Sequence, residues 1–485
     1  MEQRNDSLRK HLSPTHVWAL AFGCIIGWGA FINPGKKFLP NSGVDGTAIA
    51  MLLGALVMII IAFSYAYMVP KYPKAGGEFT FAKQCFGHVS AGFCGWFLLA
   101  AYLTNVPMNS TAIALIVDGL DGSTDLLKWG FHYRIAGFNV WCGEVLLASG
   151  ILILFGWLNI IGVKKAGFVQ TILASLLASS VFILAFAALF SSKSSLTNMT
   201  PVWGFDRAKA LADSADAASL SMYAHVGRQG IFSAILATFA IAPWAFVGFD
   251  TIPQAAEEFK FSFRKVMKIM IVAILFGCFV YVANNTVAAA ALKQWPEKVL
   301  NGDWVLLLAA EELLGSTGKA LIGVAVSCAV LSGIMGFYLA SSRLMFSMAR
   351  EGYLPPTFSK IDPKHGTPRN AMIFCILISL SGPILGREAL GWFVDMSSIG
   401  ASIGFFYTCA ATLLTMKRDG DHKPHLKLFA ILGSCFSITF VVLQLVPIPT
   451  LDSVHFCPQS YFMLMVWILF GGLFFFLQKK NFTTK

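Results

Sequence analysis

Apolar stretches close to the length that crosses a bilayer, about 20 residues, recur from one end of the chain to the other. No other feature constrains the fold as much. Hydrocarbon offers backbone N–H and C=O groups no partner, so each stretch must satisfy them internally, as a helix does. We place twelve spans at 16–38, 45–69, 80–117, 139–161, 168–190, 231–256, 265–292, 318–348, 370–386, 389–416, 427–447 and 459–478. Only 13% of the 485 residues are charged, against about 25% in a soluble protein. The expected fold is all-α and integral to the membrane, in a single polytopic domain over 1–485.

The formal net charge of +11 is explained by topology. With loops assigned alternately from an inside N-terminus, the inside loops carry about twice as many Lys and Arg as the outside loops. The positive-inside rule then puts both termini in the cytoplasm. The expected location is the cell (inner) membrane, multi-pass. No basic–aromatic array stands in a soluble segment, so no nucleic-acid partner is expected. The polar N-terminus has no apolar core followed by a cleavage site, and so does not read as a signal peptide. Ten cysteines are scattered without a C-x-x-C pair, and the nine histidines form no ligand pair. We expect no metal, no cofactor and no enzyme. The longest polar connection, 191–230, is placed outside. The amphipathic segment 302–316 is too short to span and is expected on the outer surface.

One span contradicts its own setting. "GCIIGWGAF", residues 23–31, holds Gly23, Gly27 and Gly29. Each glycine weakens a helix by roughly 1 kcal/mol relative to alanine. Five spans later "TFAIAPWAFVGFDTIPQAAEE", residues 238–258, holds Pro243, Gly248 and Pro253, which one unbroken helix does not accommodate. Two kinked helices are the plain alternative. Two breaks five spans apart are the mark of an inverted-repeat transporter, here with repeats over 16–190 and 231–416 and two further helices over 427–478. A broken helix survives in a membrane where it lines a cavity. Freed amides near Gly27, Trp28, Gly29 and Ala30 suit a carboxylate, and freed carbonyls near Ile25 and Val247 suit an ammonium. An amino acid carries both groups.

Five segments, in order, then resemble the amino acid–polyamine–organocation transporter superfamily: "IGWGAFINPG", "SYAYMVPKYPKAGGEFTFAKQCFG", "NIIGVKKAGFVQ", "FVGFDTIPQAAEE" and "RLMFSMAREGYLPPTFSKID…GTP". The resemblance implies a leucine-transporter-like five-plus-five inverted repeat, with spans 1 and 6 discontinuous. Local motifs are similar to the arginine/agmatine antiporter branch. By that resemblance Trp244 is a gating aromatic, Asp250 stands at a glutamate position, and Asn105, Phe337 and Tyr407 are pocket residues. Three positions depart from the pattern. Trp28 replaces a small or hydroxylated residue. No lysine lies on span 5 between Lys165 and Lys193. Asp395 is an unusual carboxylate on span 10.

Asp250 is functional by default as an intramembrane carboxylate, here for gating or proton coupling; its alternative is a structural cap of the second half of span 6. Asp395 either reaches the pocket or lies near the outer end of span 10, after Glu388. Ser341 and Ser342 suit a sodium site or helix packing. Glu257 and Glu258, with Lys260, Arg264 and Lys265, are expected as a charge cluster on the inner face. The function expected is secondary active transport of an amino acid or related amine by alternating access, through exchange or proton coupling. A sodium-coupled symporter of the same fold is the alternative. A channel would want a filter ring and oligomeric symmetry, and a receptor a soluble output domain. The partners are the small-molecule substrate and the lipid bilayer, with a homodimer left open.

Overall fold

The structure is a computed structural model, describing residues 8–121, 126–135, 138–204, 231–387, 389–447 and 455–482. It is mostly helical. In chain order the helices are α1 Pro14–Ile25, α2 Gly29–Asn33, α3 Leu39–Lys71, α4 Gly77–Phe86, α5 His88–Asp121, α6 Cys142–Ile160, α7 Val163–Phe190, α8 Ile231–Phe239, α9 Ala242–Phe246 and α10 Thr251–Gln254. They continue as α11 Val266–Ala290, α12 Trp295–Leu300, α13 Val305–Leu314, α14 Ser316–Arg350, α15 Arg369–Ser379, α16 Ser381–Leu385, α17 Ala389–Asp419, α18 Pro424–Leu445 and α19 Pro458–Phe482. Between α5 and α6 a short antiparallel hairpin pairs His132–Ile135 with Phe138–Trp141.

Among the described residues nine helical segments are long and apolar enough to cross a membrane, and two shorter apolar ones lie at Pro14–Ile25 and Arg369–Leu385. Leu52, Leu56, Phe168, Phe186, Leu189 and Leu469 are exposed along these helices. That is the surface hydrocarbon covers, so the chain is a multi-pass membrane protein.

Local chemistry sets the element ends. Ser13 caps α1 through the His16 amide, with Pro14 at the first helical position, where its missing N–H costs nothing. The span expected at 80–117 is two helices. Gly87, at φ 81°, closes α4 and turns the chain into α5, a backbone conformation that suits glycine. Helix α4 therefore lies apart from the spanning helix and packs on α5 and α17. Gly43, at φ 67°, bends the start of α3, where an added Cβ would lie 2.2 Å from the Val202 carbonyl oxygen. Of the polar connection 191–230, residues 205–230 lie outside the described residues, as does Glu388. The amphipathic segment 302–316 holds α13, with Val305, Leu306, Leu307, Ala309 and Ala310 buried and Glu311 and Glu312 exposed.

Helix α1 runs through the interior, packed against α7, α11 and α14, while α5 packs on α14 and α17. Gln170 of α7 ties the first group together. Its amide donates to the Ala19 and Ser332 carbonyls, each at 3.2 Å.

Candidate substrate site at two helix breaks

The first break is real and short. Helix α1 ends at Ile25, Ile26 is extended at φ −100° and ψ 100°, and α2 starts at Gly29. Among the described residues the amides of Gly27 and Trp28 donate to nothing. The carbonyls around them are mostly held. Gly23 accepts from the Ser332 hydroxyl at 3.0 Å, Ile25 from Tyr281 at 3.3 Å and Ala30 from the Asn284 amide at 2.9 Å. The break thus presents free donors and few free acceptors, which favours an anionic group. The Ile25 carbonyl, expected to face an ammonium, already has a partner.

The second break opens after α9. Val247 is extended, Gly248 sits at φ 140°, and α10 begins at Thr251. A Cβ on Gly248 would fall 2.6 Å from the Ile25 nitrogen and 2.8 Å from the Cys24 carbonyl carbon. These are backbone atoms with no room to yield, so only glycine lets the two breaks touch. The Val247 carbonyl accepts nothing among the described residues.

Side chains close over this contact. The Trp28 and Trp244 rings lie 6.2 Å apart, tilted at 54° and nearly buried. A Cβ on Gly29 would stand 2.3 Å from the Trp244 ring, and one on Gly27 would stand 3.1 Å from Asn109 Oδ1. Asn109 Oδ1 and Trp28 Nε1 are both buried without a partner. A buried polar atom left unpaired is costly, so an unpaired acceptor and an unpaired donor beside the break are suited to a ligand. Phe337 is buried, its ring 6.3 Å from that of Tyr102.

Other expected site residues go elsewhere. Asn105 donates to Ser397 Oγ at 2.6 Å and to the Ala101 carbonyl at 2.7 Å, so it fastens α5 to α17; Asn109, one turn on, is the asparagine at the break. Tyr407 is half-buried, its ring 5.5 Å from Phe86. It lines an outer groove with Phe93, Ile403, Phe406 and Ile438 and is not brought to the break. Asp395 accepts from Ser460 Oγ at 2.6 Å, joining α17 to α19. Ser341 and Ser342 donate to the carbonyls of Phe337 and Leu339 on their own helix.

Asp250 occupies the N-cap position of α10 but makes no cap bond. Its Oδ1 turns back to accept from the Gly248 amide at 2.6 Å, and Oδ2 accepts from the Tyr102 hydroxyl at 3.0 Å. The capping alternative is therefore not what the carboxylate does; it braces the break itself. Tyr102, Gln254, Tyr65 and Glu78 continue inward from it. Gln254 Nε2 lies 3.5 Å from the Tyr102 hydroxyl and donates to Glu78 Oε2 at 2.7 Å, while Tyr65 donates to Glu78 Oε1 at 2.6 Å. All five side chains are buried. Sequence reasoning missed Glu78, because an acidic residue just before a span reads as solvated. Its place in "AGGEF" was the available signal.

The acidic pair after α10 finds different partners from those expected. Glu258 meets Arg343 at 2.7 Å with both side chains fully buried, and Glu257 pairs with Arg350. Both arginines belong to α14, whereas Lys260, Arg264 and Lys265 were the expected partners. Glu257 Oε1 also accepts from the Ala75 amide at 3.0 Å, and the Glu258 carbonyl accepts from His11 and Leu12. The N-terminal segment, the α3–α4 loop, α14 and the end of the second break are thereby latched together on one face.

Residues 12–474 match the family described as amino acid permease. The chain is 28% identical to large neutral amino acids transporter small subunit 2 of Homo sapiens over 77% of this chain and 64% of that protein. It is 24% identical to the branched-chain amino acid permease BcaP of Bacillus subtilis (strain 168), over 98% of this chain and 94% of the relative. It is 28% identical to Asc-type amino acid transporter 1 of Mus musculus over 86% of this chain and 73% of that one. The chain thus spans just under two thirds of the length of the first of these relatives and nearly all of the second. With a match that runs almost end to end, the chain belongs to the amino acid permease family.

Proposed function

We propose that the protein is a secondary active transporter of an amino acid or related amine, working by alternating access. The observation that carries this reading is the meeting of the two breaks at Gly248 and Ile25, beside unpaired Asn109 Oδ1 and Trp28 Nε1. The free amides of Gly27 and Trp28 hold the substrate carboxylate. The Val247 carbonyl and Asn109 Oδ1 take its ammonium. Trp28, Trp244 and Phe337 wall the side chain, and these aromatic walls suit a neutral one. The names of the three relatives, each an amino acid transporter or permease, support this substrate class. The reading includes twelve spans in a five-plus-five inverted repeat, with both termini in the cytoplasm.

Coupling is by exchange or by protons. Ser341 and Ser342 spend their hydroxyls on their own helix, which disfavours a sodium site, and α7 carries Gln170 rather than a lysine at its junction with α1. Asp250 is the proton-linked group, since its carboxylate braces the break that binds substrate. The test is uptake into liposomes under imposed proton, sodium or counter-substrate gradients. Asp250→Asn is expected to flatten the pH dependence of uptake between about pH 5 and about pH 8, and a sodium gradient to change neither protein. Strong sodium dependence, lost in Ser341→Ala or Ser342→Ala, would overturn this reading in favour of a symporter.

Trp28 sets the size limit. Its indole occupies the space beside Trp244, so Trp28→Ser is expected to admit bulkier amino acids. A panel of amino acids scored by the rise in unfolding temperature checks this, because ligands of the folded state raise its stability by mass action. An unchanged panel would show that the indole does not bound the pocket.

A further inference from the structure

Two buried carboxyl groups share one hydrogen-bonded chain, and among the described residues neither meets a cation. Glu78 faces Tyr65 from α3, Gln254 and Asp250 from the second break, Cys94 and Tyr102 from α5, and the backbone of Gly404 from α17. Asp250 faces Tyr102, Tyr65, Cys24 from α1 and the Gly248 amide. Among the described residues no Lys, Arg or His is paired with either one. Two anions in one dry compartment repel without compensation, and neither has the counter-charge that makes a buried ion tolerable. Interacting carboxyls of this kind titrate as a pair, the first proton staying on when the other is lost.

We propose that Glu78 and Asp250 together hold one exchangeable proton, and that Glu78 is the residue through which the latched face of the protein senses it. The proposal deepens the transporter reading of the same site and rests on it. Burial and the nearby Asp250 hold the Glu78 carboxyl well above the usual carboxylate range, so both act to favour its protonated form. The Gln254 side chain bridges the two halves and serves either state. Its N–H donates to a charged Glu78, and its oxygen, turned over, accepts from a protonated one.

The link to the latch is covalent and short. Glu78 lies three residues after Ala75, whose amide bonds Glu257 and whose carbonyl accepts from Ser347 and Thr80. Gln254 lies three residues before Glu257. A Cβ on Gly77 would stand 2.7 Å from Gln254 Nε2, so the two segments are in contact throughout. When the latch parts, α4 leaves the second break. Glu78 then meets water, and its proton passes to the solution on that face. Ionised, Glu78 cannot return beside an ionised Asp250, so reclosure requires a proton from that side or substrate at the break.

The test has two arms on the purified full chain. In the first, infrared difference spectra follow the C=O stretch of protonated carboxyls as pH is raised. Wild type should show a band that disappears in one step. Glu78→Gln should lack that step, and Asp250→Asn should move it to lower pH by removing the neighbouring charge. Tyr65→Phe deletes a donor to the charged form and should move the step to higher pH; it keeps the idea testable should Glu78→Gln fail to fold. In the second arm, amino acid exchange is measured in liposomes. Wild type should vary by up to about tenfold per pH unit across its step, as one proton allows, and Glu78→Gln by less than about twofold over the same range. A step unchanged in both Glu78→Gln and Asp250→Asn would overturn the shared proton. Failure of the transporter reading looks different: wild type exchanges no amino acid at any pH, and the infrared arm alone then decides whether the pair holds a proton.

Discussion

Gly29→Val is expected to leave a folded protein that carries no amino acid across a liposome membrane, with uptake reduced by about 100-fold or more. At this position even a Cβ would overlap the Trp244 ring, 2.3 Å away, and would press on Asn33 Nδ2 at 3.0 Å. The tryptophan is a side chain and can swing aside, so the fold survives. It swings at the cost of the wall it forms with Trp28 and of close approach to the free amides at the first break. Losing one good charge-assisted contact removes roughly 1.5–3 kcal/mol, and excluding the carboxylate from both amides removes more, which carries the loss past 100-fold at about 1.4 kcal/mol per tenfold. Size-exclusion behaviour and the unfolding midpoint check folding, and radiolabelled uptake checks function. Ordinary uptake by a folded Gly29→Val protein would place the substrate elsewhere.

Arg343→Met is expected to be the most destabilising single change. It removes the cation from a fully buried pair and leaves the Glu258 carboxyl without its counter-charge in a dry interior. Breaking such a pair costs about 3–5 kcal/mol, a large share of a marginal total. Arg343 also donates to Ser342 Oγ at 3.0 Å, so a hydroxyl loses a partner too. The measurement is the thermal unfolding midpoint in detergent. The double variant Arg343→Met/Glu258→Met separates two explanations, because an apolar pair of similar volume is often neutral or better. Its midpoint should recover towards wild type while exchange stays altered, since Glu258 no longer helps fasten α14 to the segment after the second break. A double variant as unstable as the single one would mean that packing, rather than the unpaired charge, was lost.

The membrane class and the two breaks were legible from local chemistry. Apolar run length is a property of consecutive residues, and the glycines and prolines at 27–29 and 243–253 disfavour an unbroken helix wherever the chain goes, whereas Gly23 falls inside α1. What a polar side chain meets depends on which helix lies opposite, and a string of residues does not hold that. Asn105 and Asn109 share one helix a turn apart. Only the packing of α5 against α17 and beside the first break puts the first on Ser397 and the second at Gly27. Tyr407 looks like a pocket tyrosine from its neighbours in sequence, yet the face of α17 that carries it turns to Phe86 and away from the breaks. Glu257 and Glu258 are surrounded in sequence by lysines and an arginine, but charge pairs are selected by distance in space, and the arginines of α14 are the ones that lie beside them, Arg343 fully buried and Arg350 partly exposed. Glu78 shows the same physics most plainly. Next to a glycine pair at the head of a helix it reads as a solvated acid. Tertiary packing alone removes its water and sets it, through Gln254 and Tyr102, in line with Asp250.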